Sequence, residues 1–104
     1  MLTDKQLAQY AEVLLWGLET ARKKPFKKDD CILLQYEAPA VRLAEIIYGR
    51  VLDLGMHPVQ RMGLTFGMEK SFYKRSNRKQ LTFLAPGDRE LYANLNGRIF
   101  LRAP

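Results

Sequence analysis

A chain of 104 residues, 47% apolar and 27% charged, has the size and balance of one globular domain and is not a disordered segment. Seventeen Lys and Arg against eleven Asp and Glu leave a net charge of +6, which favours anionic partners or an acidic protein surface. The single cysteine, Cys31, excludes an internal disulfide, and no apolar run approaches the ~18 residues of a membrane span. The N-terminus lacks a basic stretch leading into an apolar one, so no signal peptide is read; a cytoplasmic location and no membrane partner are expected.

Leu2 to about Ala21 reads as a helix. Thr3 is its N-cap, Gln6 completes a capping box, and Leu2 with Leu7 can form a hydrophobic staple. Leu7, Tyr10, Ala11, Leu14 and Leu18 share one face at helical spacing. Arg22, Lys23 and Lys24 suit the negative end of the helix dipole, and Pro25 ends the helix. Cys31 to Tyr36 is a short apolar run, expected as a strand buried on both faces. Pro39 fits the first turn of a second helix, whose apolar stripe is Ala40, Leu43, Ala44, Ile47, Val51 and Leu54, with Gly55 as its left-handed cap.

Pro58 pushes His57 toward extended geometry and opens a weaker strand running to Leu64. Thr65 or Gly67 starts a third helix with Met68, Phe72 and Tyr73 expected inward. It frays near Ser76-Asn77. Gln80 to Leu84 is expected as a third strand. Pro86-Gly87-Asp88 turns into a fourth helix bearing Leu91, Tyr92 and Leu95, and Arg98 to Arg102 is the last strand. Helical connections between short strands predict a three-layer α-β-α domain with a mostly parallel, about four-stranded sheet, Rossmann- or flavodoxin-like, covered on both faces. No internal repeat or linker interrupts residues 1–104, and a sheet ending on a strand is expected to lead into a further domain.

The chemistry is sparse. One imidazole (His57) and one thiol (Cys31) cannot make a HxxxH, CxxC or HExxH metal set, and neither has the partner pattern of a nucleophilic triad. Cys31 reads as a small core residue. Glu37 ends the first strand beside a helix start, where open α/β sheets place their ligands. Its turn, Glu37-Ala38-Pro39-Ala40, has no glycine to admit a phosphate, and Glu37 would repel one. Glu37 therefore complements the helix dipole, or faces a substrate amine. Tyr36, Glu37 and His57 are the candidates for a substrate cleft or an interface; no residue is assigned to catalysis, cofactor or metal. The basic runs Arg22–Lys28 and Phe72–Lys79 fall at predicted helix ends, so nucleic acid is not the expected partner.

The stretches LAQYAEVLLWGLE (Leu7 to Glu19), FKKDDCILLQYEAPAVRLAEIIYGRVLDLGMHPV (Phe26 to Val59) and NRKQLTFLAPGDRELYANLNGRIFLRAP (Asn77 to Pro104) carry a resemblance to a metallopeptidase family. They resemble the N-terminal domain of the thermophilic aminopeptidase T-like enzymes, also called aminopeptidase II or aminopeptidase S. The resemblance implies an α/β domain followed by a C-terminal catalytic domain. That second domain would hold two divalent metal ions, zinc or cobalt in type, and remove N-terminal residues from peptides. This chain alone is then expected to be non-catalytic, shaping the substrate cleft or the assembly. Its expected partners are the catalytic domain, a second copy in a homodimer, and peptide substrate. One departure from the family is visible: Asp29-Asp30 stands where a glycine is frequent. Two alternatives stay open, a stand-alone nucleotide- or nucleic-acid-binding module and a protein-interaction module.

Overall fold

The computed structural model describes residues 3–20 and 26–102. In chain order it contains α1 (Asp4–Thr20), β1 (Cys31–Tyr36), a 3-10 turn (Ala38–Ala40), α2 (Val41–Asp53), β2 (His57–Met62), α3 (Phe66–Arg75), α4 (Arg78–Leu81), α5 (Asp88–Asn94) and β3 (Gly97–Leu101). The three strands form one parallel sheet in the order β2-β1-β3.

The capping box of α1 forms as read. The Gln6 N–H donates to Thr3 Oγ1 at 3.1 Å, and the Thr3 N–H donates to Gln6 Oε1 at 2.9 Å. These bonds satisfy two of the donors that a helix start leaves open. The staple's Leu2 and the helix stop at Arg22–Pro25 lie outside the described residues. Leu7, Ala11 and Leu15 face inward, whereas Tyr10, expected inside, is half exposed. Leu15 takes the position because it lies four residues beyond Ala11, on the same stripe.

β1 keeps its expected limits and is the central strand. Ile32, Leu33 and Leu34 are completely buried. Ile32 and Leu34 point to the same side as Ile99 and Leu101, where α1 and α2 close the main core with Ala44, Ile47 and Val51. Leu33 points to the other side with its register partners Val59 and Arg98. There α5 approaches, its Tyr92 ring 5.9 Å from the Arg98 guanidinium. Gly97 is small for a reason: a Cβ would meet Ile32 Cδ1 and the Phe26 ring at 3.0 Å.

The second helix begins after the Pro39 turn, and Gly55 adopts the expected left-handed cap with φ 80°. Leu54, read as the end of the apolar stripe, is exposed. Arg42 pairs with Asp4 and Arg50 with Glu12, tying α2 to α1. Hydrogen bonds to Glu12 first, and then to Asp53, hold the Arg50 guanidinium above its ordinary value. Asp29 also takes a left-handed conformation, φ 71°. This is the turn where Asp29-Asp30 departs from the glycine frequent in the resembled family, and Asp is among the few other residues that tolerate the conformation.

Three expectations fail between β2 and β3. Gln80 to Leu84 is not a strand, so the described residues hold three strands and not four. Asn77 accepts from the Gln80 N–H at 2.9 Å, and Gln80 Oε1 accepts from the Asn77 N–H at 2.9 Å. This second capping box starts α4 where the short apolar run suggested extended chain. Met68, Phe72 and Tyr73 do not point into a core; all three are exposed. Nor does any element from α3 to α5 pack extensively on the sheet or on α1 and α2. The radius of gyration is 15.6 Å, against about 13 Å for a compact domain of this length.

Two substitutions probe the core from opposite sides. Ile47→Ala, which leaves a cavity, is expected to lower unfolding stability by about 2–5 kcal/mol in urea titrations. Gly97→Ala, which overfills the space beside Ile32, is expected to cost about 1–3 kcal/mol in the same measurement.

Candidate functional site

Both ends of β1 are fastened by hydrogen bonds to its backbone groups. At its start the Cys31 N–H donates to Asn96 Oδ1 at 2.8 Å, and the Asn96 N–H returns a bond to the Cys31 carbonyl at 2.8 Å. At its finish the Gly63 N–H donates to the Tyr36 carbonyl at 2.7 Å, and the Glu37 N–H to the Leu101 carbonyl at 3.0 Å. The second end is the C-terminal edge of a parallel sheet, where α/β folds present ligand sites.

A cavity of about 360 Å³ lies at that edge, between α2 and β2. Leu34 and Ala44 line it together with Tyr36, Val41, Glu45, Tyr48 and Gln60. The Tyr36 hydroxyl donates to Gln60 Oε1 at 2.8 Å, which fixes both side chains. Val41, Glu45 and Tyr48 reach it because positions i, i+4 and i+7 share one helix face. The lining offers aliphatic and aromatic walls, two phenols, one amide and one carboxylate. Such a set recognises an apolar group carrying an amine or hydroxyl. It contains no imidazole, thiol or aliphatic hydroxyl.

Of the three sequence candidates, Tyr36 lines the cavity. Glu37 follows it directly as the cap residue of the 3-10 turn, with no capping hydrogen bond from its side chain. His57 is not brought to them. It pairs in register with Cys31, five residues from the Tyr36 level, roughly 16 Å along the strand. There His57 Nε2 lies 3.0 Å from Asp29 Oδ1, on an exposed surface. Glu45, Tyr48 and Gln60 escaped the sequence reading. Glu45 falls outside the apolar stripe read for its helix, and only the Val41-Glu45-Tyr48 spacing beside that stripe marks the side as a wall.

Among the described residues no three His, Cys, Asp or Glu side chains converge as a metal site. The donor set here therefore does not fit a pair of divalent ions, and Cys31, half-buried at the start of β1, has no partner donors. No helix among the described residues is long and apolar enough to cross a membrane.

Tyr36→Phe removes the bond to Gln60 and leaves the ring in place. It is expected to lower stability by about 0.5–1.5 kcal/mol, read from the urea midpoint, with an unchanged far-UV spectrum.

Comparison with family models matches residues 3–104 to the family described as thermophilic metalloprotease (M29). Comparison with curated proteins and with solved structures gives no match.

Proposed function

The chain belongs to the thermophilic metalloprotease family M29, and from that premise we propose that it serves as the non-catalytic N-terminal α/β domain of a metal-dependent aminopeptidase. The observation that carries this reading is the scatter of donor side chains in a chain matched to the family from residue 3 to residue 104. Metal ligation and hydrolysis of the first peptide bond are the work of a C-terminal catalytic domain, and the cytoplasm is the compartment. In the enzyme this domain forms one wall of the substrate cleft. Tyr36 and Tyr48 supply apolar surface there, and Glu45 is the carboxylate suited to an ammonium group, such as the N-terminus of a peptide. The strand order β2-β1-β3 coincides with the first three strands of a flavodoxin-like sheet, which supports the doubly wound class.

Incubating the purified chain with leucine p-nitroanilide and added Zn²⁺ or Co²⁺ tests the reading. No release of p-nitroaniline above the metal-only control is expected. Turnover that co-elutes with the chain and is abolished by a chelator would show a complete catalytic centre in these residues and end the proposal.

A further inference from the structure

The link from α5 to β3 is Asn96-Gly97, and its asparagine both clamps the sheet and carries a chemical weakness. Asn96 Oδ1 accepts from the Cys31 N–H at 2.8 Å, and the Asn96 N–H donates to the Cys31 carbonyl at 2.8 Å, so the pair grips the first residue of the central strand. A side-chain amide followed by glycine can cyclise, because no Cβ shields the next backbone nitrogen. The Gly97 nitrogen gives up its proton and attacks Asn96 Cγ. The Cγ–Nδ2 bond breaks, and the amide leaves as ammonia. The succinimide ring then takes up water at either of its carbonyls. The product is aspartate or isoaspartate at this position; water enters, ammonia leaves, and no oxidant or reductant is needed. Of the three asparagines, only Asn96 precedes a glycine. Arg78 and Leu95 follow the other two and crowd the attacking nitrogen. Asn77 is also held as the cap of α4, and Asn94 Nδ2 donates to the Glu90 carbonyl at 2.7 Å.

The fold restrains this reaction. Asn96 is exposed, so water reaches it. Ring closure, however, needs the side chain to swing onto the Gly97 nitrogen and the backbone between them to rotate. The Cys31 N–H holds Oδ1 in place. Gly97 is paired opposite Ile32, and Ile32 Cδ1 and the Phe26 ring stand 3.0 Å from where a Cβ would lie. Gly97 has no room to turn while β3 is seated. We propose that Asn96 is a deamidation site gated by the β1–β3 pairing: the clamp to Cys31 keeps it unreactive, and it converts when the start of β3 opens. The two products differ in consequence. Aspartate keeps an oxygen for the Cys31 N–H, now as a charge-assisted bond. Isoaspartate runs the main chain through the former side chain and lengthens it by a methylene. Gly97 can then no longer lie opposite Ile32 while the residue before it grips Cys31. Conversion to isoaspartate thus releases the start of β3 irreversibly from the central strand.

Peptide mapping by mass spectrometry tests this on the full chain, incubated at mildly alkaline pH in buffer and in denaturing guanidinium chloride. The tryptic peptide Glu90–Arg98 carries Asn94 beside Asn96 as an internal control. In denaturant Asn96 is expected to convert, with isoaspartate in excess, while Asn94 stays intact. In buffer the conversion is expected to be about tenfold slower or more, because it waits for local opening. Ile32→Val removes the Cδ1 that faces Gly97, and is expected to speed conversion several-fold in buffer and leave the rate in denaturant unchanged. Equal rates in buffer and denaturant would overturn the gate, as would an Ile32→Val chain no faster than the unaltered one. No conversion in denaturant would remove the site itself. The deamidated chain, separated by its added negative charge, is expected to unfold at lower denaturant than an Asn96→Asp chain of the same charge. Coincident midpoints for these two would overturn the release of β3. None of these failures touches the aminopeptidase reading, which the hydrolysis assay decides separately.

Discussion

The described fold hangs on one strand that has no solvent on either face. Ile32, Leu33 and Leu34 are buried completely, so the N–H and C=O groups of β1 cannot turn to water and must find partners to both sides. β2 and β3 supply them in parallel register. Asn96 completes the pairing at one end, and Gly63 and Glu37 complete it at the other. The same alternation that sends Ile32 and Leu34 toward α1 and α2 sends Leu33 to the opposite face. Tyr36, the last residue of that strand, becomes a wall of the cavity because nothing beyond it continues the sheet.

What could be read in the sequence follows from how local the signal is. Thr3 with Gln6, the run Cys31–Tyr36 and the cap at Gly55 are each specified by a few adjacent residues, and each appears where it was read. The segment Gln80–Leu84 was misread because a short apolar run does not distinguish a strand from a helical turn. The Asn77–Gln80 capping box decides it and was present in the residues all along. Met68, Phe72 and Tyr73 were placed inside by their apolarity alone. Hydrophobicity states that a side chain needs cover; it does not state that the same chain provides it. The site divides in the same way. Tyr36 was legible as a strand end, whereas Gln60 and Tyr48 arrive through pairing and helix packing across the fold. His57 was grouped with Tyr36 and Glu37 as a cleft or interface candidate, although the parallel sheet read from the same sequence puts a strand start and a strand end at opposite edges; the observed register sets His57 level with Cys31.

Recognition and bond cleavage make different demands. A recognition surface needs shape and a few fixed polar groups, which one hydrogen bond between Tyr36 and Gln60 helps to provide. Cleavage needs several donors held at one point, and the carboxylates among the described residues are spread over α1, α2, α3, α5 and the turns on either side of β1. Several are occupied with other tasks. Asp4 and Glu12 join helices, and Asp29 sits beside His57.

The chain leaves the sheet after β2 and returns to it only at Gly97, which pairs beside Ile32. Everything from Gly63 to Asn96 is therefore a single excursion between two edge strands. The entropy of closing such an excursion grows with the logarithm of its length, so doubling it costs only about 0.6 kcal/mol. The sheet imposes almost no limit on how long this segment is. Length variation is thus cheap between β2 and β3 and expensive inside β1, where a one-residue slip would exchange its two buried faces.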